Sequence, residues 1–162
     1  TALGPLWHAR LNPGGENTGL MVALLRKEAR KEAEASGAQL ILTDGPPGIG
    51  CPVTSSVTGA DFAVIVSEPS RSALSDLRRA AELCGILSVP FGIVVNRWNL
   101  SEELTDAIRT TCGDEGWSLL GTIPFDVKIA EAVGAGRIPA EEMGGDLPDL
   151  WRSIQKTGRL KR

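Results

Sequence analysis

Apolar positions along this chain follow two alternating rhythms, short continuous runs and helical stripes. The runs are QLIL closing on Thr43 and Asp44, DFAVIVSEP (residues 61–69), FGIVVN (91–96) and SLLGTI (118–123). Each is aliphatic or β-branched and bounded by turn-forming residues, which predicts strands, several of them buried on both faces. The spacing of Leu20, Met21, Leu24, Leu25 and Ala29 predicts a helix over 17–36, closed by Gly37. Its charged half, RKEARKEAEA, reads as a solvated face with Arg30 and Glu34 one turn apart. A short helix is expected over 53–58. Ser70 or Ser72 can cap a helix that turns Leu74, Leu77, Ala81 and Cys84 to a core. Another opens at Ser101, with Glu102 and Glu103 suiting its dipole and Leu104, Ala107, Ile108 and Thr111 facing inward. Asp126 caps a short helix to Val133. The tail from Gly144 holds an amphipathic helix (Leu147, Leu150, Trp151, Ile154) that covers sheet surface, before a solvated basic end of Lys156, Arg159, Lys161 and Arg162. Residues 6–11 could add a short strand ahead of a Pro-Gly-Gly turn. Alternating strands and helices mean right-handed βαβ units. The fold class is therefore α/β, with a parallel sheet of about four or five strands flanked by helices.

Composition narrows this picture in a few places. A length of 162 residues suits one domain with a real core. The net charge of -3 is small and its charges are interleaved, so neither a nucleic-acid surface nor an acidic tail is expected. No apolar run approaches the roughly 18 residues of a membrane span, and no signal pattern opens the chain. Cys51, Cys84 and Cys112 are too widely spaced for a CxxC pair, so they are expected as small, reduced core residues in a cytosolic, cytoplasmic protein. His8, the single histidine, has no acid or serine motif near it and is expected at an edge or in solvent.

Candidate chemistry gathers at predicted strand ends, where a parallel sheet holds its ligands. The run at 40–42 delivers Asp44 to the stiff loop GPPGIG, whose free N–H groups are those of Gly45, Gly48, Ile49 and Gly50. A lone acid followed by a glycine that can touch a terminal phosphate is the logic of a Walker B and switch II element, the acid holding water on a magnesium ion. An Asp that merely caps a turn is the alternative. Asn96 closes FGIVVN, and its amide can offer a donor and an acceptor to the N6 and N7 edge of adenine. Guanine sites commonly carry an Asp three residues later; here Asn99 stands there, so a base pocket at this point leans towards adenine. NRWN is equally consistent with an ordinary turn and a capping Asn. Pro124 and Phe125 close the next strand and could flank a flat base.

In this order and spacing, ILTDGPPGIGCPV, TGADFAVIVSEPS, GIVVNR and GTIPFD resemble the MinD/ParA/Mrp group of deviant P-loop ATPases. More narrowly, they resemble MinD-superfamily ATPases with an inserted ferredoxin domain carrying iron-sulfur clusters. GGENTG (residues 14–19) is similar to a stretch found just after that insert. The resemblance covers roughly residues 8–140 and implies an incomplete P-loop NTPase (SIMIBI-like) fold of Rossmann type. It implies that Asp44 is the Walker B acid acting on Mg2+ through water, and that Gly48 faces the γ-phosphate. It also implies that Asn96 reads adenine, with Arg97, Pro124 and Phe125 lining the pocket. ATP binding in such families closes a homodimer and hydrolysis reopens it.

One departure is large: the sequence contains no GKGGxGKT-like loop and no ferredoxin cysteine run. Both would precede Thr1 in a full-length relative, so the expectation is the C-terminal part of a MinD-like nucleotide-binding domain. By itself it should bind ATP weakly and hydrolyse it negligibly, with a sheet edge left for a second copy or for the upstream P-loop and ferredoxin segment to cover. Two other readings stand beside this one. A non-catalytic interaction or dimerisation module could keep the fold without nucleotide hydrolysis. A flavodoxin-like or receiver-like domain would need paired acids near its first strand, and the sequence shows no such pairing.

Overall fold

A computed structural model describes residues 5–9, 18–138, 140 and 146–159. These fall into two compact units, the first ending at Ala60 and the second beginning at Asp61.

The first unit consists of two helices and the segment joining them. Helix α1 runs Thr18–Ser36 and ends in a turn whose Gly37 takes φ +68, with the N–H of Ala38 donating to the carbonyl of Ala33. That is the left-handed glycine stop the sequence predicts. Helix α2 spans Cys51–Val57, with Pro52 in its first turn, where a missing N–H costs nothing. Arg26 ties the two together by donating to the carbonyls of Ser55 (2.7 Å) and Thr58 (2.5 Å), and Arg30 reaches Gly59 (3.4 Å). These are carbonyls at the end of α2, so the cations also complement its dipole. Burial, and then the neighbouring Arg30 charge, hold Arg26 below the usual guanidinium range.

The strand expected over 40–42 does not form. Residues 38–46 join no sheet ladder, and Leu40, Ile41 and Leu42 are 49%, 43% and 86% exposed. A strand exists only through a ladder partner, and no described residue offers one. Residues 5–9 likewise form no strand, and His8 is exposed as expected; the rest of 6–11 and most of GGENTG lie outside the described residues.

The second unit holds the sheet. Strands β1 (Ala63–Ser67), β2 (Phe91–Asn96) and β3 (Ser118–Ile123) pair in that order, all parallel. The expected four or five strands are three among the described residues. Helix α3 (Arg71–Ile86) links β1 to β2, and α4 (Glu102–Asp114) links β2 to β3. Ser70 and Ser101 cap them, accepting from the N–H groups of Ala73 and Leu104. Their stripes meet the middle strand, and Leu77, Ile93, Val95, Ile108 and Cys112 form one buried cluster flanked by Ile65, Leu74, Phe91, Trp98 and Trp117. Phe91 and Trp117 pack edge to face with centroids 5.9 Å apart. Burying each large aliphatic side chain contributes on the order of 2 kcal/mol.

Strand β3 carries one extra residue. Ile93 pairs with Leu119 and Val94 with Gly121, so Leu120 is skipped and lies over Gly92, where a Cβ would come within 2.7 Å of it. Helix α5 (Val127–Gly134) starts from Asp126, whose carboxylate accepts from the N–H of Lys128, and α6 (Asp146–Thr157) packs on β3 with Leu150 against Gly121. The tail helix thus covers sheet surface as its stripe predicts, while the last three residues of the basic end lie outside the described set. The double covering expected for β1 does not hold: Val64 and Val66, which share one face of the strand, are 38% and 61% exposed, while Ile65 on the other face packs against the core. No described helix is long and apolar enough to cross a membrane.

Candidate functional site

In a parallel sheet all strands end on one side, so register decides which residues meet there. Ser67 pairs with Val95 and Asn96 with Ile123. One step beyond those pairs, Glu68, Arg97 and Pro124 reach the same carboxyl edge. Asn96 donates from Nδ2 to Glu68 Oε1 at 3.3 Å, and Arg97 Nη1 lies 3.3 and 3.5 Å from the two oxygens of the same carboxylate. Both charged side chains are about half exposed, so the ion pair contributes at most about 1 kcal/mol. Its effect is orientation. Arg97 takes φ 54 and ψ 37, a left-handed conformation costing a non-glycine residue about 1 kcal/mol, and turns the chain from β2 into the 3-10 turn Trp98–Leu100. Thr105, buried in α4, fastens that turn by donating to the carbonyl of Trp98 at 2.8 Å.

Asn99 makes the second connection. Its Oδ1 accepts from the N–H of Phe125 at 2.6 Å and its Nδ2 donates to the carbonyl of Phe125 at 3.1 Å. The amide thus pairs with one backbone residue in both directions, as a neighbouring strand would, and holds Pro124 and Phe125 beside the turn after β2. An Asp here could not supply the second bond, since a carboxylate has no donor. The Phe125 ring is 40% exposed and so open to a flat partner. Beside this edge, the hydroxyl of Ser67 is buried with no hydrogen-bond partner among the described residues.

Four of the predicted site residues therefore come together, Asn96 and Arg97 through Glu68, and Pro124 and Phe125 through Asn99. Asp44 and Gly48 belong to the first unit. Asp44 is exposed, with no hydrogen bond among the described residues, and it neither closes a strand nor caps a turn. Gly48 has φ +90 and open space where a side chain would begin, a conformation that excludes other residues and leaves the backbone approachable. A single unpaired carboxylate fits an ion that keeps most of its waters, as magnesium does, and does not fit an all-protein metal cage. No group of three His, Cys, Asp or Glu able to hold a metal occurs among the described residues.

The cysteines divide. Cys84 and Cys112 are buried as expected, and burial pushes both thiols up, a backbone hydrogen bond opposing it in part at Cys112. Cys51 is exposed, contrary to the core role expected of it, because it opens a helix in a unit with no apolar core around it. Sequence reasoning missed Glu68 and the clamp made by Asn99. The signal for Glu68 was present: it follows the VIVS run as Arg97 follows FGIVVN, one step past the strand.

No family model matches the chain. It is 27% identical over 129 residues to an uncharacterized protein of Methanocaldococcus jannaschii, an alignment covering 80% of this chain and 42% of that protein. It is 28% identical over 148 residues to an iron-sulfur cluster carrier protein of Pyrococcus abyssi, covering 80% of this chain and 48% of the relative. The chain thus spans less than half the length of the curated relatives it matches here. Among solved structures, the cell division ATPase MinD of Pyrococcus furiosus superposes with a TM-score of 0.64 at 22% identity, over 83% of this chain and 57% of that one. The fold is of MinD type, and it is partial.

Proposed function

We propose, from the premise that the chain carries a partial MinD-type fold, that it is the C-terminal portion of an ATP-binding and ATP-hydrolysing protein associated with iron-sulfur clusters, in which nucleotide state switches a dimer. The observation that carries this reading is the carboxyl-edge cluster of Asn96, Arg97, Pro124 and Phe125, held by Glu68 and Asn99. Asn96 reads the edge of adenine, Arg97 and Pro124 line the pocket, and the half-exposed Phe125 ring stacks on the base. Asp44 holds water on a magnesium ion as the Walker B acid, and Gly48 brings its N–H to the γ-phosphate, sensing whether it is there. Bound ATP supplies the phosphoanhydride bond, and magnesium neutralises charge on its phosphates. The protein's part is positioning and electrostatic stabilisation, since such chemistry asks little else of it. The name of the Pyrococcus abyssi relative supports the link to clusters as cargo or as neighbours on a longer polypeptide.

The test is turnover in the gene's full-length product. ATP hydrolysis should fall at least about 100-fold in Asp44→Ala and depend on magnesium, with Asn96→Ala raising KM for ATP. An Asp44→Ala protein that keeps full turnover removes the role assigned to that carboxylate. A second reading, an interaction module without nucleotide chemistry, is favoured by the exposed Leu20, Leu24, Leu40, Ile41 and Leu42 of the first unit. Calorimetry with ATP and magnesium, paired with solution mass, separates the two: no heat of binding alongside a stable dimer favours the module.

A further inference from the structure

An asparagine at a base edge is ambiguous until its amide is oriented. One end donates and the other accepts, and the two could exchange by a half-turn about the last side-chain bond. A 6-aminopurine presents a donor at position 6, whereas a 6-oxopurine presents an acceptor there. Whichever end of Asn96 is left open therefore decides which purine suits it.

In this structure a neighbour makes that choice. A carboxylate only accepts, and Glu68 sits 3.3 Å from Asn96, so the amide nitrogen must face it and the oxygen is left for a ligand. Glu68 is itself fixed from the other side by the Arg97 guanidinium, at 3.3 and 3.5 Å. Arg97 in turn is set by its left-handed backbone at the end of β2. Asn99, the other amide near this edge, is already bonded in both directions to the backbone of Phe125. We infer that Glu68 is a specificity-determining residue of this site: by claiming the donor end of Asn96 it leaves an acceptor facing the purine, which selects 6-amino over 6-oxo purine nucleotides. The inference rests on the reading of Asn96 as the base contact.

The experiment measures dissociation constants for ATP and ITP, with magnesium, on the full-length protein and on Glu68→Gln, Glu68→Ala and Asn96→Ala. ITP differs from ATP at the reading edge by the 6-oxo group and lacks the 2-amino group of GTP, so the ATP-to-ITP ratio isolates the contact in question. The wild type should prefer ATP. Glu68→Gln, whose amide can donate to Asn96 and turn it over, should lose about tenfold of that preference, mostly by gaining ITP affinity, and Glu68→Ala should lose it as well. A merely structural role would weaken both nucleotides together and leave the ratio alone. If both Glu68 variants keep the wild-type ratio while Asn96→Ala loses ATP affinity, the inference is overturned and the base-contact reading survives. If Asn96→Ala binds ATP as the wild type does, or the wild type binds neither nucleotide, both fall.

Discussion

A thiol reports its surroundings through its readiness to ionise, and the three cysteines here report two environments. Cys51 is exposed at the start of α2; Cys84 and Cys112 are buried in α3 and α4, and burial raises both. In the unfolded chain a cysteine ionises near pH ~8.5. Above that pH the unfolded state sheds protons that the folded state keeps, so each buried thiol adds stability that is full below pH ~8.5 and is lost as pH rises towards the folded-state value. Two results are expected. With a chromogenic disulfide at pH 8, one thiol in three reacts fast in the native protein and all three react fast in denaturant. Between pH 8 and 10 the denaturant midpoint falls, and falls less in a Cys112→Ala protein than in the wild type. Fast reaction of three native thiols would contradict the burial described. Spacing alone could say that no CxxC pair exists, but it could not say which cysteine lacks a core around it.

Helix ends show how local rules and tertiary packing share the outcome. Four helices close on the same left-handed turn, in which the residue after the left-handed position donates to a carbonyl five residues back: Ala38 to Ala33, Val89 to Cys84, Trp117 to Cys112 and Arg137 to Ala132. Three turns place Gly37, Gly116 or Gly136 at the left-handed position; α3 places Ser88 there, at φ 54. Ser88→Gly should therefore stabilise the protein by about 0.5–1 kcal/mol. Gly92→Ala should do the reverse, at a cost of about 1–3 kcal/mol, because its Cβ would meet Leu120 at 2.7 Å inside the packed sheet. Equilibrium urea melts check both, and equal signs would break the account. The Gly37 stop, the Ser70, Ser101 and Asp126 caps and the strands at 91–96 and 118–123 were legible because each is fixed by residues within a few positions of one another. The run at 40–42 was misread for the opposite reason. Its apolar character is local, but the ladder that would make it a strand depends on a partner the sequence pattern cannot supply. The same holds for the edge position of β1, and for Glu68, whose meeting with Asn96 is created by register across two strands.

At the scale of the molecule the two units are unequal in what they bury. The second contains all three strands and a cluster of Leu77, Ile93, Val95, Ile108 and Cys112 shielded from water. In the first, the described residues that are buried are Gly19 and Ser56, and no large apolar side chain is among them. Since burial of apolar surface is what offsets chain entropy, the second unit has the means to fold alone and the first has not. A polypeptide of residues 61–162 is expected to melt in one cooperative transition, with helix and sheet in its circular dichroism. Residues 1–60 alone should show at most weak helicity and no sharp transition, since an isolated helix pair without a core is marginal in water. A cooperative melt of 1–60, or an unfolded 61–162, would overturn this division. Residues 61–162 also carry only some of the residues assigned above to nucleotide. That fragment keeps Glu68, Asn96, Asn99 and Phe125 but lacks Asp44 and Gly48, so any adenosine nucleotide it binds should bind without regard to magnesium. Magnesium dependence should return only when the first unit is restored, because the proposal assigns the base contact and the phosphate contact to different stretches of chain.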